Sequence, residues 1–208
     1  MSTTVQPTTV QHQPTNVQAP TTVPKLNAGG GGNVPIPYRF TKTQIDRAKE
    51  RAEELGRLNG SITQGKSNIY GMLGEEIVAA FLGAGFEYRK PQLYQYDLIL
   101  PNGTTADVKT KKTTSTQTPR PHYTATVWNG NTSQRCDRYI FVRICTDLDK
   151  RKAWICGQLV KQEFYDTSVF YRKGQHDAEN GYTVHADCHN IRIDLLRSVV
   201  APNPWAGE

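Results

Sequence analysis

The sequence predicts an α/β domain, and three observations carry that expectation. The stretches Lys42 to Leu58 and Asn68 to Leu82 read as helices, and a strand–turn–strand unit follows at 96–109. Two β-forming runs, Tyr139 to Ile144 and Ala153 to Cys156, come after it. About 170 of the 208 residues lie beyond a low-complexity start, enough for one sizeable core.

That start, residues 1–35, is rich in Thr, Gln, Val and Pro, contains no acid and carries one lysine, Lys25. The string Pro7-Thr8-Thr9-Val10 recurs as Pro20-Thr21-Thr22-Val23, and Gly29 to Gly32 form a glycine joint. Its apolar density is too low for a core, so a disordered arm is expected, with the folded domain over 36–208. It has no basic stretch followed by an apolar run, so no secretory signal is expected. Nowhere do about 18 apolar residues run together, so no membrane partner is expected either. Cys136, Cys145, Cys156 and Cys188 are scattered without C-x-x-C spacing, which fits free thiols in a reducing, cytoplasmic setting. His185, Cys188 and His189 are the one group with metal-like spacing outside the acidic residues discussed next.

Thr41 is a plausible N-cap for the first helix, and Ile45, Ala48, Ala52 and Leu55 form its narrow apolar stripe, leaving the charges to a solvated face. The second helix has few breakers after Gly74 and ends at Gly83 and Gly85. Glu75 shares a face with Val78 and Leu82, while Leu73, Ile77, Ala80 and Phe81 make a second apolar stripe. A helix apolar on both sides is buried, and an acid on its edge needs a partner. Glu76 fits a charge complementing the helix N-terminus.

The hairpin holds the chemistry. A loop at 101–103, closed by Leu100 and Thr104, sets antiparallel partners so that Asp97 faces Asp107. Opposed residues have Cβ atoms about 4.5–5.5 Å apart. Lys109 lies two residues past Asp107 on the same face. Two facing carboxylates repel each other, and a hard divalent cation relieves that repulsion. A solvated Asp107–Lys109 ion pair is the alternative reading of the hairpin alone.

Helix Gly74-Glu75, then Asp97, then Asp107-Val108-Lys109, in that order and spacing, resembles the PD-(D/E)XK nuclease superfamily of restriction endonucleases, Holliday-junction resolvases and phage exonucleases. Ser61 to Lys66 and the Asp-Val-Lys strand are also similar to phage-encoded members. The likeness covers about residues 65–160, with Tyr96 in place of the family's proline. It implies a restriction-endonuclease-like core with a central mixed sheet flanked by helices: a helix, a three-stranded antiparallel meander, a second helix and a further strand. It also implies an Mg²⁺- or Mn²⁺-dependent deoxyribonuclease, with Asp97, Asp107, Glu75 and the Val108 carbonyl as ligands and Lys109 positioning the attacking water. DNA is the implied partner, the cytoplasm (the host's, for a phage enzyme) the implied location, and a homodimer is compatible with the family. A non-catalytic nucleic-acid-binding or virion-associated protein on the same fold is the alternative.

The charge balance, 25 basic against 19 acidic residues, is compatible with nucleic acid. Lys109, Lys111, Lys112 and Arg120 run without an intervening acid and are followed by His122, so Lys111, Lys112, Arg120 and His122 are candidate phosphate contacts. A lysine-rich edge strand blunted by Pro119 and Pro121 is the other reading. After the two β runs, residues 158–166 suit a short helix, Gly181 to His185 and Ile191 to Ile193 suit further strands, and Leu195-Leu196 suit the core.

Overall fold

The computed structural model describes residues 32–55, 68–83, 95–131 and 134–200. The expected arm up to residue 31, the end of the first helix at 56–58, the segment Ser61 to Lys66 and Gly85 lie outside the described residues.

Strand β1 (Ile36–Arg39) leads into α1 (Lys42–Leu55), which opens on a capping box. The Gln44 N–H donates to Thr41 Oγ1 at 3.1 Å, and the Thr41 N–H donates back to Gln44 Oε1 at 2.8 Å. Ile45, Ala48 and Ala52 are buried as their spacing requires. Helix α2 (Asn68–Leu82) is buried along most of its length, with Leu73, Ile77 and Val78 fully enclosed, and Gly83 takes the left-handed conformation (φ 95°) after its last turn. Gln44 Nε2 donates to the Glu76 carbonyl at 3.3 Å and ties the helices together.

Next come β2 (Leu98–Ile99), β3 (Thr105–Thr113), β4 (Thr124–Trp128), β5 (Arg138–Cys145), β6 (Lys152–Val160) and α3 (Lys161–Thr167). Strands β7 (Val169–Tyr171), β8 (His176–Asp177), β9 (Tyr182–Thr183) and β10 (Cys188–Arg192) are the remaining strands among the described residues. A five-stranded sheet has the order β1-β6-β5-β3-β2, with β3 and β5 parallel and the other neighbours antiparallel. A second sheet has the order β4-β10-β7.

The period-two pattern of β5 explains the layering. Ile140, Val142 and Ile144 enter one core with α1 and α2, whereas Tyr139 and Phe141 enter another with β4, β10 and α3. The mixed central sheet is therefore as expected, but its flanks differ: helices α1 and α2 cover one face, and the second sheet with α3 covers the other. The meander's first strand would fall in 84–94, outside the described residues. The second helix expected before the further strand is absent from the described connection between β3 and β5, which carries β4 instead.

Between Phe141 and Val142 the β5–β6 register slips, because Gly157 pairs with Phe141 and Ile155 with Val142. Gly157 has φ 132°, and a Cβ there would lie 2.7 Å from Leu196 Cβ and 2.8 Å from the Arg197 carbonyl. Asn33, inside the span read as an arm, is anchored here: its Nδ2 donates to the Cys156 carbonyl at 2.5 Å and to the Ile193 carbonyl at 3.1 Å. All four cysteines are buried and free. Among the described residues no helix is long and apolar enough to cross a membrane.

Candidate active site

The site grows from the β2–β3 hairpin. Leu98 pairs with Ala106 and Ile99 with Thr105, the register that the 101–103 loop requires. The Leu100 N–H donates to the Thr104 carbonyl at 2.8 Å, and Gly103 supplies the positive φ (79°) of the turn. One residue earlier the ladder kinks. The Asp97 N–H donates at 2.9 Å to the carbonyl of Ala106, the residue already opposite Leu98. The Asp97 carboxylate then turns along β3 and its Oδ2 accepts the Val108 N–H at 2.7 Å. Asp97 thus reaches the level of Asp107 and is held there by a backbone donor.

Asp107 is 2% exposed. The Lys109 ammonium lies 2.5 Å from its Oδ1, as an ion pair that leaves Oδ1 without an aligned hydrogen bond. Gln134 joins the two: its Oε1 accepts from Lys109 Nζ at 3.0 Å and its Nε2 donates to Asp107 Oδ2. The Tyr139 ring lies 5.7 Å from the ammonium. Burial opposes the charge on Lys109, but Asp107 and Asp97 more than offset it, so the pKa sits above the usual lysine value.

Helix α2 delivers Glu75 because Gly74 lets the helix lie directly on β3. A Cβ at position 74 would come within 2.0 Å of Thr110 Oγ1. Glu75 is buried and its Oε2 accepts from Arg51 Nη2 at 2.7 Å. Its pKa is raised to about 7: burial is the largest cause, Arg51 opposes it, and Asp107 and Glu76 add to it. Asp97 is held well above the usual aspartate range by burial, then by the charges of Asp107 and Glu75. Glu76 instead faces Arg51 at 3.7 Å and Arg47 at 3.9 Å. Glu75 is therefore the helix acid that shares the field of Asp97.

The donor set of Glu75, Asp97 and Asp107 is all hard oxygen, which suits Mg²⁺ or Mn²⁺ better than a softer metal. Asp107 Oδ1 is buried against the Lys109 ammonium, so a cation bound to this carboxylate would share it with that charge. In the arrangement seen here no three His, Cys, Asp or Glu side chains among the described residues surround one point. Asp107 is engaged by Lys109 and Gln134, and Glu75 by Arg51. His185 and His189 have turned to different neighbours: the first packs on Tyr182 and the second on Tyr165.

The basic run does not form one patch. Strand β2 pairs with β3 only at Thr105 and Ala106, so among the described residues the lysine-bearing part of β3 has β5 as its one strand neighbour. Lys111 follows Asp107 and Lys109 onto the face covered by the second sheet, where its Nζ donates to Thr124 O and Oγ1, both at 3.1 Å. It bridges the two sheets, with its ammonium turned onto the Thr124 oxygens. Lys112 points the other way and lies over the Tyr70 ring at 5.5 Å. Arg120 is exposed, and the His122 ring packs edge-on against Tyr123 at 5.0 Å.

Burial, with Arg143 adding, lowers the Lys111 pKa from 10.5 to about 8. In the unfolded chain Lys111 binds its proton more tightly, so its contribution to stability grows as pH rises from about 8 to 10.5 and is lost below 8. Comparing Lys111→Met with the parent by urea denaturation at pH 7, 8.5 and 10 tests this. The parent is expected to gain on the variant by as much as about 3 kcal/mol across that window.

Two site residues escaped the sequence reading. Arg51 sits on the face of α1 expected to be solvated, yet reaches Glu75. Gln134 precedes β5, and its side chain turns back onto Asp107 and Lys109. No family model matches the chain, and a search of curated proteins finds no match.

Proposed function

We propose that this protein is a divalent-cation-dependent DNA endonuclease of the PD-(D/E)XK type. One observation carries the reading: Asp97, fixed to the Val108 N–H, shares one electrostatic field with the buried Asp107 and Glu75 and with the partly buried Lys109. The order of elements supports it as far as α2 followed by the β2–β3 hairpin, with β4 standing where the resemblance implies a second helix before β5.

In this reading Asp97 and Asp107 hold Mg²⁺ or Mn²⁺, with Glu75 as a direct or water-mediated ligand and the Val108 carbonyl as another. The bound cation supplies polarisation of the scissile phosphate and neutralisation of the leaving oxygen. Lys109 remains protonated at neutral pH because Asp107 and Asp97 hold its pKa up. It is placed as a hydrogen-bond donor that would orient the attacking water and stabilise developing negative charge. The Val108 N–H fixes Asp97, and Arg51 restrains Glu75.

The test is incubation with closed circular, linear duplex and single-stranded DNA in Mg²⁺, Mn²⁺ or EDTA. The circle is expected to be cut with either metal and left intact in EDTA. A second reading, a non-catalytic DNA-binding protein, draws on the fact that Asp107 is already engaged by Lys109 and Gln134. Cation-independent DNA binding with no cleavage of any of the three substrates would favour that reading and overturn the first.

A further inference from the structure

We propose that the Gln134 side chain is a built-in competitor for the cation, occupying Asp107 until the cation displaces it. This rests on the reading of Asp97, Asp107 and Glu75 as a cation site. Gln134 Nε2 donates to Asp107 Oδ2, and Gln134 Oε1 accepts from Lys109 Nζ at 3.0 Å. With Lys109 2.5 Å from Oδ1, both oxygens of Asp107 face donors from its own chain. A cation reaching Oδ2 must remove the amide from it.

The geometry makes that a local event. The Gln134 carbonyl accepts from Lys161 Nζ, at the start of α3, so the backbone here is tied to the helix while the amide hangs on its own side-chain torsions. Departure of the amide also removes the Oε1 contact from Lys109. Rotation of the amide therefore opens Asp107 Oδ2 to the cation and leaves the ammonium held by Asp107 Oδ1 alone. Gln134 is a positioning residue in this account: it touches the two catalytic groups and leaves both when the site loads. A hydrogen bond to a carboxylate is among the stronger kinds, so its loss from the cation-free state corresponds to about a tenfold gain in cation affinity.

The experiment is calorimetric titration of Mn²⁺ into the full chain at pH 7.5, without DNA, for the parent, Gln134→Ala, Gln134→Met and Asp107→Asn. Circular dichroism first establishes that each is folded. Methionine keeps the volume of glutamine without its donor. Both Gln134 variants are expected to bind Mn²⁺ about tenfold more tightly than the parent, and Asp107→Asn to lose binding. Tighter binding is a gain that general damage to the fold does not produce. Unchanged affinity in both Gln134 variants, with the parent binding normally, would overturn the competitor role. Weaker affinity in both would overturn it too, by making Gln134 a ligand. Absence of Mn²⁺ binding by the folded parent would overturn the cation site itself, and the inference with it.

Discussion

Lys109→Met is expected to lower cation-dependent DNA cleavage by about 10²–10³-fold, the usual consequence of removing one preorganised donor from a developing oxyanion. Methionine preserves much of the side-chain length and removes the ammonium, together with its contact to the Tyr139 ring. The substitution also takes the counter-charge from beside Asp107 Oδ1 and removes a competing positive charge from the acids. Mn²⁺ affinity is therefore expected to hold or to rise while cleavage falls, a split that unfolding does not give. Lys109→Arg is not expected to rescue, because the planar fork cannot take the place of a compact ammonium between Asp107 and Gln134. Cleavage rates on plasmid DNA at saturating Mn²⁺, with calorimetry in parallel, check both halves. Cleavage by Lys109→Met within twofold of the parent would remove this residue from the chemistry.

Gly74→Ala is expected to destabilise the protein by about 1–3 kcal/mol, as overpacking a close contact does. The sign is informative. Inside an exposed helix the same change stabilises by up to about 1 kcal/mol, since alanine is the better helix former. Here the new Cβ would sit 2.0 Å from Thr110 Oγ1 and 3.3 Å from Thr110 Cβ, so α2 must lift away from β3 and carry Glu75 with it. Thr110 Oγ1 is itself buried without a hydrogen-bond partner, so Thr110→Ala alone removes little. Combined with Gly74→Ala it is expected to recover most of the loss, leaving only the 3.3 Å position to relax. Urea denaturation of the two single variants and the double variant measures the coupling. A stabilised Gly74→Ala would mean that the helix does not lie on β3 at this point.

The part of the site within the hairpin was legible because its register follows from turn chemistry alone. A three-residue loop ending in Gly103 allows one pairing, and that pairing is the one observed from Leu98 to Thr105. The first helix was legible through Thr41 and its alanine stripe. The second sheet was not. Strand β4 is five residues long, and it is held by β10, more than sixty residues onward, where Asn190 Oδ1 accepts from Thr126 Oγ1 at 2.5 Å. No local pattern announces such a pairing, and with it missing, the face of β3 bearing Lys111 looked like surface. Alternation puts Asp107 and Lys109 on one face; that protein covers the same face at Lys111 is decided by that remote sheet. Arg51 and Gln134 escaped for the same reason, since each joins the site through packing between distant elements. The kink at Asp97 is a subtler case: the expected ladder partner of Asp107 is instead turned so that its carboxylate accepts the Val108 N–H.

The most direct test of the central claim is nicking of closed circular duplex DNA in Mg²⁺ by the parent and by Asp107→Asn, with both shown to be folded. Asparagine keeps the shape of the buried side chain and removes its charge. The account predicts cutting by the parent, none in EDTA, and loss of at least about 10²-fold in the variant. Equal cutting by Asp107→Asn, or an intact circle with the parent, would contradict it.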